Sequence, residues 1–173
     1  MKKKFVCSFL FLALLSLSGL RAQPIDWMSW DEAVALAASE KNPKKVFVDV
    51  YTDWCGWCKR MDKDTFQNPE VAAYMRANFY MVKLDGEQTE PIEFKGKTYT
   101  FVAQGRRGYH QLAAALLQGR LSYPTVVFLD ENFQMLSPVA GYQRPDAFLQ
   151  IARYFGDNIY KEKDWQAYNG QGK

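Results

Sequence analysis

The stretch KVFVDVYTDWCGWCK, residues 45–59, constrains this chain more than any other. Its first half, Lys45 to Tyr51, is β-rich and apolar apart from Asp49, the pattern of a central strand covered on both faces. A lone carboxylate in such a strand is a candidate functional group. The second half sets Cys55 and Cys58 three positions apart, each directly preceded by a tryptophan, Trp54 and Trp57, and helical spacing continues from Lys59 to Asp64. Four readings of the thiols are open at this point: half of a metal site, a haem attachment point, a passive staple or a working redox pair.

The N-terminus bears on the choice. Lys2, Lys3 and Lys4 precede an apolar run from Phe5 to about Leu20, followed by Leu20-Arg21-Ala22. A basic start, an apolar run too short for a comfortable membrane span and a small residue at the end mark residues 1–22 as a signal peptide. Leu20 and Arg21 make a poor cleavage context, so an uncleaved anchor is the competing reading, and Cys7 lies inside the apolar run rather than after it as a lipoprotein would require. Cleavage after Ala22 removes four of the 22 basic side chains and leaves 18 against 19 acidic ones. The sequence pI of 8.7 is then mostly a property of the targeting segment, and the mature composition calls for no nucleic-acid or anionic-membrane partner. Export implies the periplasm where the source has an outer membrane. The remainder is long enough for one domain, taken as residues 23–160 with a C-terminal tail at 161–173.

Cys7 leaves with the signal peptide, so the mature chain holds two cysteines, both in the opening stretch. A bridge across two intervening residues would close almost no loop, which favours a chemical role over a structural one. Structural zinc wants four ligands and the chain has one histidine, His110, which suits a helix flank better. Haem attachment needs histidine after the second cysteine, where Lys59 stands. A cysteine hydrolase needs a histidine base, and His110 is the sole candidate.

Along the chain, Ser29-Trp30-Asp31-Glu32 has the spacing of a capping box and opens a helix over about 30–41. Asn68-Pro69 starts another, with Val71, Tyr74 and Met75 as its buried stripe. Phe79 to Leu84 reads as a strand. Pro91–Phe94 and Lys97–Val102 alternate around Lys95-Gly96, which predicts one inserted β-hairpin, with Gly105–Gly108 as a flexible basic joint. A helix over His110–Gln118, strands at Pro124–Asp130 and near Met135, and a helix over Pro145–Phe155 complete the pattern. The order predicts an α/β chain with a mixed central sheet flanked by helices.

From about Trp27 to Phe155 the chain resembles the thioredoxin superfamily, with VDVYTDWCGWCK as its strand, active-site turn and helix. It is most similar to exported thioredoxin-like proteins and to the C-terminal periplasmic domain of thiol:disulfide interchange protein DsbD, whose motif is also followed by a TF-x-x-P-x-V segment, here Thr65 to Val71. The resemblance implies a disulfide between Cys55, the attacking cysteine, and Cys58, the resolving one. It implies a buried acid at Asp49 that exchanges a proton with Cys58, and a facing lysine at Lys83. It places substrate at a cis-proline loop, Tyr123-Pro124, with Gly141 allowing close approach and Trp54 and Trp57 on the docking surface. It implies no cofactor or metal, protein disulfide substrates, a membrane electron donor of the DsbD type, and a monomer.

Two departures limit the transfer. Trp57 stands where thioredoxin has proline, and Tyr123 is large for the residue before the cis-proline; both positions tune potential and partner choice. The insertion at about 86–110 has no thioredoxin counterpart and is expected to shape a partner surface. The expected activity is that of an exported thiol:disulfide oxidoreductase acting as a reductase or electron relay. The alternative is a non-catalytic adaptor or chaperone with the same fold.

Overall fold

The computed structural model describes residues 25–170, so the expected signal peptide lies outside the described residues. Helix α1 (Trp30–Ser39) starts at the predicted capping box, where the Ser29 N–H donates to the Glu32 carboxylate at 2.7 Å. Strand β1 (Lys45–Tyr51) runs into α2 (Gly56–Met61). An α-helix to Asp64 was expected, but the chain instead widens into a π-helical turn at Asp62–Phe66. Helix α3 (Pro69–Asn78) begins with Pro69 and is capped by Asn68, whose Oδ1 accepts from the Glu70 and Val71 N–H groups at 3.0 and 3.2 Å. Strand β2 (Phe79–Asp85) follows.

The insertion forms two hairpins where one was expected. The first pairs β3 (Ile92–Phe94) with β4 (Lys97–Tyr99), and the second pairs β5 (Phe101–Gln104) with β6 (Arg107–His110). Thr100 is the reason that Lys97–Val102 is not one strand. Its N–H donates to the Gln111 side chain and its carbonyl accepts from the Gln111 N–H, both at 3.0 Å, so it leaves the ladder. The supposed joint at Gly105–Gly108 is thus the turn and outer strand of the second hairpin. Gly108 is required there because a Cβ would lie 2.2 Å from the Phe101 ring.

Beyond it come α4 (Gln111–Leu116), β7 (Thr125–Leu129), β8 (Met135–Ala140) and α5 (Pro145–Gly156). His110 caps α4, its Nδ1 accepting from the Leu112 N–H at 3.3 Å. After α5, a 3-10 turn at Ile159–Lys161 leads to α6 (Trp165–Asn169). Trp165 and Tyr168 pack on Tyr154 with ring centroids 5.3 and 5.4 Å away, which docks this segment against α5.

The central sheet has the order β2-β1-β7-β8, with β1 parallel to β2 and antiparallel to β7. Strand alternation sorts its side chains onto two faces. Phe47, Met81 and Phe128 pack with Met61, Met75 and Phe148 from α2, α3 and α5. Val46, Val48, Val50 and Val82 pack with Trp30, Leu112 and Leu116 from α1 and α4. Burying each such side chain contributes roughly 1.5–3 kcal/mol before chain entropy is counted. The same alternation puts Asp49 on the face of Phe47 and Lys83 on the face of Met81, and the two stand opposite in register. Both therefore point to the layer that carries the cysteine helix.

Candidate active site

Cys55 is the N-cap of α2, extended at φ −74° and ψ 99°, and Cys58 lies one turn inside. Their sulfurs form a disulfide with Cα atoms 5.3 Å apart. The Cys58 N–H donates to the Cys55 Sγ at 3.0 Å, so one of the unpaired N–H groups of the helix start is aimed at that sulfur. Upstream, the Cys55 N–H donates to the Thr52 carbonyl at 3.0 Å, which fixes the turn between β1 and α2. Cys55 is 4% exposed and Cys58 3%, so the two differ little in accessibility in the disulfide form.

Asp49 is 2% exposed. Burial raises its pKa to about 7; the Lys83 ammonium opposes that rise and the Asp62 carboxylate adds to it. Lys83 lies 3.6 Å from the Asp49 Oδ2, too far for a hydrogen bond, and instead forks onto both Asp62 oxygens at 2.5 and 2.6 Å. The sequence reading set Lys83 facing Asp49, as the register shows, and did not include Asp62. The available signal was its spacing, four residues after Cys58 on the same helical path. Lys83 also sits over the rings of Trp27 and Tyr51 at 4.9 and 5.1 Å, which confines its ammonium between the carboxylates.

The Tyr123–Pro124 bond is cis, and the Pro124 carbonyl accepts from the Gly141 N–H at 2.8 Å. Gly141 has φ +87°, a conformation that favours glycine. The Tyr123 ring lies on Gly86, where a Cβ would meet its hydroxyl at 2.4 Å, and burial pushes the phenol up to about 12.

Trp54 and Trp57, which precede Cys55 and Cys58 in sequence, are 52% and 57% exposed. Trp54 meets Tyr123 edge-on at 5.9 Å, and the Arg107 guanidinium lies 4.1 Å from its ring centroid. Trp57 packs on Tyr142 at 5.6 Å, with Arg60 over both rings and paired with Asp64 at 3.1 Å. Tyr142 also donates to Asp64 at 3.2 Å. Arg60, Arg107 and Tyr142 went unnoticed in the sequence because their contacts with the tryptophans join segments far apart in the chain or hinge on side-chain stacking.

The TF-x-x-P-x-V segment has a physical basis in this frame. Thr65 donates to the Gln143 carbonyl at 2.6 Å, linking the cysteine helix to the Gly141 turn, while Phe66 and Val71 enter the core. Together the elements bring a disulfide, a buried acid and a cis-proline loop to one end of the sheet.

Known proteins resemble parts of this chain. Human Spermatogenesis-associated protein 20 is 34% identical over 80 residues, 46% of this chain and 10% of that protein. Thiol:disulfide interchange protein DsbD of Vibrio vulnificus (strain CMCP6) is 41% identical over 64 residues, 36% of this chain and 10% of that protein. Disulfide bond reductase DsbH of Chlamydia pneumoniae is 24% identical over 120 residues, 68% of this chain and 64% of that protein. The match thus spans about a tenth of the length of the human and Vibrio proteins. Among solved structures, a thioredoxin-fold protein from Helicobacter pylori superposes with a TM-score of 0.56 at 18% identity over 89% of each chain, a likeness of fold. The fold is that of thioredoxin, with a mixed sheet and helices on both faces. With its cysteine helix, Asp49, Lys83 and Pro124 all inside the matched residues 16–147, the chain belongs to the DsbH thioredoxin family, whose description reads "Protein of unknown function, DUF255".

Proposed function

We propose that this protein is an exported thiol:disulfide oxidoreductase that reduces protein disulfides, or relays electrons to them, through the Cys55/Cys58 dithiol. The observation that carries the reading is the disulfide at the start of α2 on the sheet face that holds the buried Asp49, whose pKa of about 7 suits a proton acceptor for a thiol. In the reduced form the Cys58 N–H that meets the Cys55 Sγ favours a thiolate there. That thiolate attacks a substrate disulfide; a bond forms from Cys55 to one substrate sulfur, and the other leaves as a thiolate. Cys58 then gives its proton to the Asp49 carboxylate and attacks the Cys55 sulfur. The internal disulfide closes, the second substrate thiolate departs, and two electrons have passed to the substrate. A dithiol donor, membrane-bound as in the DsbD resemblance, restores the reduced form.

Lys83 and Asp62 hold the charge around Asp49, and Trp54, Trp57, Tyr123, Pro124 and Gly141 form the surface on which an extended substrate segment pairs. The reading places the protein in the periplasm of a source with an outer membrane, as a monomer.

Mixed-disulfide trapping tests the order of attack. Cys58→Ser protein, reduced and mixed with a disulfide-bonded substrate, is expected to accumulate a covalent adduct through Cys55 that dithiothreitol releases. Cys55→Ser protein is expected to give at most about a tenth of that adduct, because Cys58 lies inside the helix. Equal adducts from the two variants would contradict the assignment of Cys55 as the attacking thiol.

A further inference from the structure

The second hairpin of the insertion is tied to the site at its base. The Gly86 N–H donates to the Tyr51 carbonyl and the His110 N–H to the Gly86 carbonyl, both at 2.7 Å. Tyr51 ends β1 just before the cysteine turn, so the hairpin is anchored where the site begins. Packing of Phe101 on Gly108 then sets the strand that Arg107 opens. The result is a continuous wall beside Cys55, running from Gly86 through Tyr123 and Trp54 to the Arg107 guanidinium.

The guanidinium on this wall has no ion-pair partner among the described residues. Arg60, its counterpart by Trp57, is paired with Asp64, whereas among the described residues Arg107 has no carboxylate within 4.0 Å, and neither has the adjacent, exposed Arg106. The carboxylates of this side, Asp53, Asp85 and Glu87, act on Tyr51 and Tyr123 and do not pair with Arg107. A guanidinium held over a ring face keeps hydrogen-bond donors free for a carboxylate. An exposed arginine fixed by stacking has also lost much of the freedom that makes surface ion pairs weak.

We propose that Arg107 is a specificity residue that receives a carboxylate of the partner, so that the protein favours extended segments with an acidic residue next to the target cysteine. The proposal deepens the oxidoreductase reading and rests on it for the identity of that cysteine. Trp54, the residue before Cys55, sets the carboxylate beside the reacting sulfur. The insertion thereby supplies the charge that selects among disulfides, and the cysteine helix supplies the chemistry.

Two peptides in which serine replaces the cysteine, one with Glu beside it and one with Gln, test recognition without redox exchange. Their binding to the oxidised wild-type protein is followed by tryptophan fluorescence. The Glu peptide is expected to bind about fivefold more tightly, a preference that fades at high salt, disappears in Arg107→Ala and survives in part in Arg107→Lys. Equal binding, including no measurable binding of either peptide, overturns the proposal, as does a preference that persists in Arg107→Ala. Reduction of 2-hydroxyethyl disulfide by the same protein separates the two readings. Turnover without a peptide preference removes the role of Arg107 alone, and a preference without turnover removes the redox reading while leaving carboxylate recognition in place.

Discussion

Cys55→Ser protein is expected to reduce the disulfides of insulin at least about a thousandfold more slowly than the wild type. The reaction starts with a thiolate, and no other ionisable sulfur is present among the described residues except Cys58, which lies within the helix and is 3% exposed. A serine hydroxyl at the same N-cap keeps the bond from the Cys58 N–H and so keeps α2, but it does not ionise in the working range and cannot form a disulfide. The variant should remain folded. Loss of a bridge across so short a loop costs about 2 kcal/mol in the chain-entropy model, against a core that spans both faces of the sheet. Turbidity of precipitating insulin chains gives the rate, and unchanged near-ultraviolet circular dichroism shows that folding is intact. Wild-type-like turnover by Cys55→Ser protein would remove the redox role and leave the adaptor reading.

Asp49→Asn has the second large expected effect, and it separates stability from rate. The folded, oxidised protein holds Asp49 at a pKa of about 7, whereas the unfolded chain ionises near its ordinary value of about 3.9. Between those values the folded state binds the extra proton, so unfolding free energy falls as pH rises. The contribution is fully present below about pH 4 and is lost as pH climbs through 7, a total of roughly 3–5 kcal/mol at about 1.4 kcal/mol per pH unit. Asn lacks that titration. The wild-type protein should therefore lose roughly that much stability relative to Asp49→Asn between pH 4 and pH 8, read from guanidinium melts of the oxidised forms. In the reduced protein the same variant removes the proton acceptor for Cys58, so resolution of the mixed disulfide should slow by about 10²-fold and lose its rise with pH near 7. Parallel stability curves for the two proteins would show that Asp49 ionises freely in the fold.

Asp49 was legible because a strand apolar on both faces leaves a carboxylate no solvent on either side, and the helix caps at Ser29 and Asn68 were legible because they depend on neighbours within three residues. What escaped the sequence depends on contacts between distant segments. Asp62 carries the main bonds of Lys83, joining the end of the cysteine helix to β2, and the chain widens from there into a π-helical turn where a plain α-helix was expected. Thr100 breaks a regular alternation because Gln111 captures both of its backbone groups, which turns one hairpin into two. Arg107 reads in sequence as part of a basic joint, and its placement over Trp54 follows from the anchoring at Gly86 and the fit of Phe101 on Gly108. Helix α6 has no buried residue of its own and is held through Tyr154, so its only local signal is the Asp164 cap, whose carboxylate accepts from the Ala167 N–H at 2.8 Å.

The direction of electron flow turns on one pair of sulfurs. Trp57 stands between the two cysteines in place of the thioredoxin proline and packs on Tyr142 with Arg60 over both rings. Equilibration of the Cys55/Cys58 couple against glutathione and dithiothreitol buffers, read by thiol alkylation, gives its reduction potential. A reductase or electron relay is expected to lie near about −270 mV, where the reduced form can donate to most substrate disulfides, and a value near about −120 mV would make the protein an oxidant and contradict the proposed function.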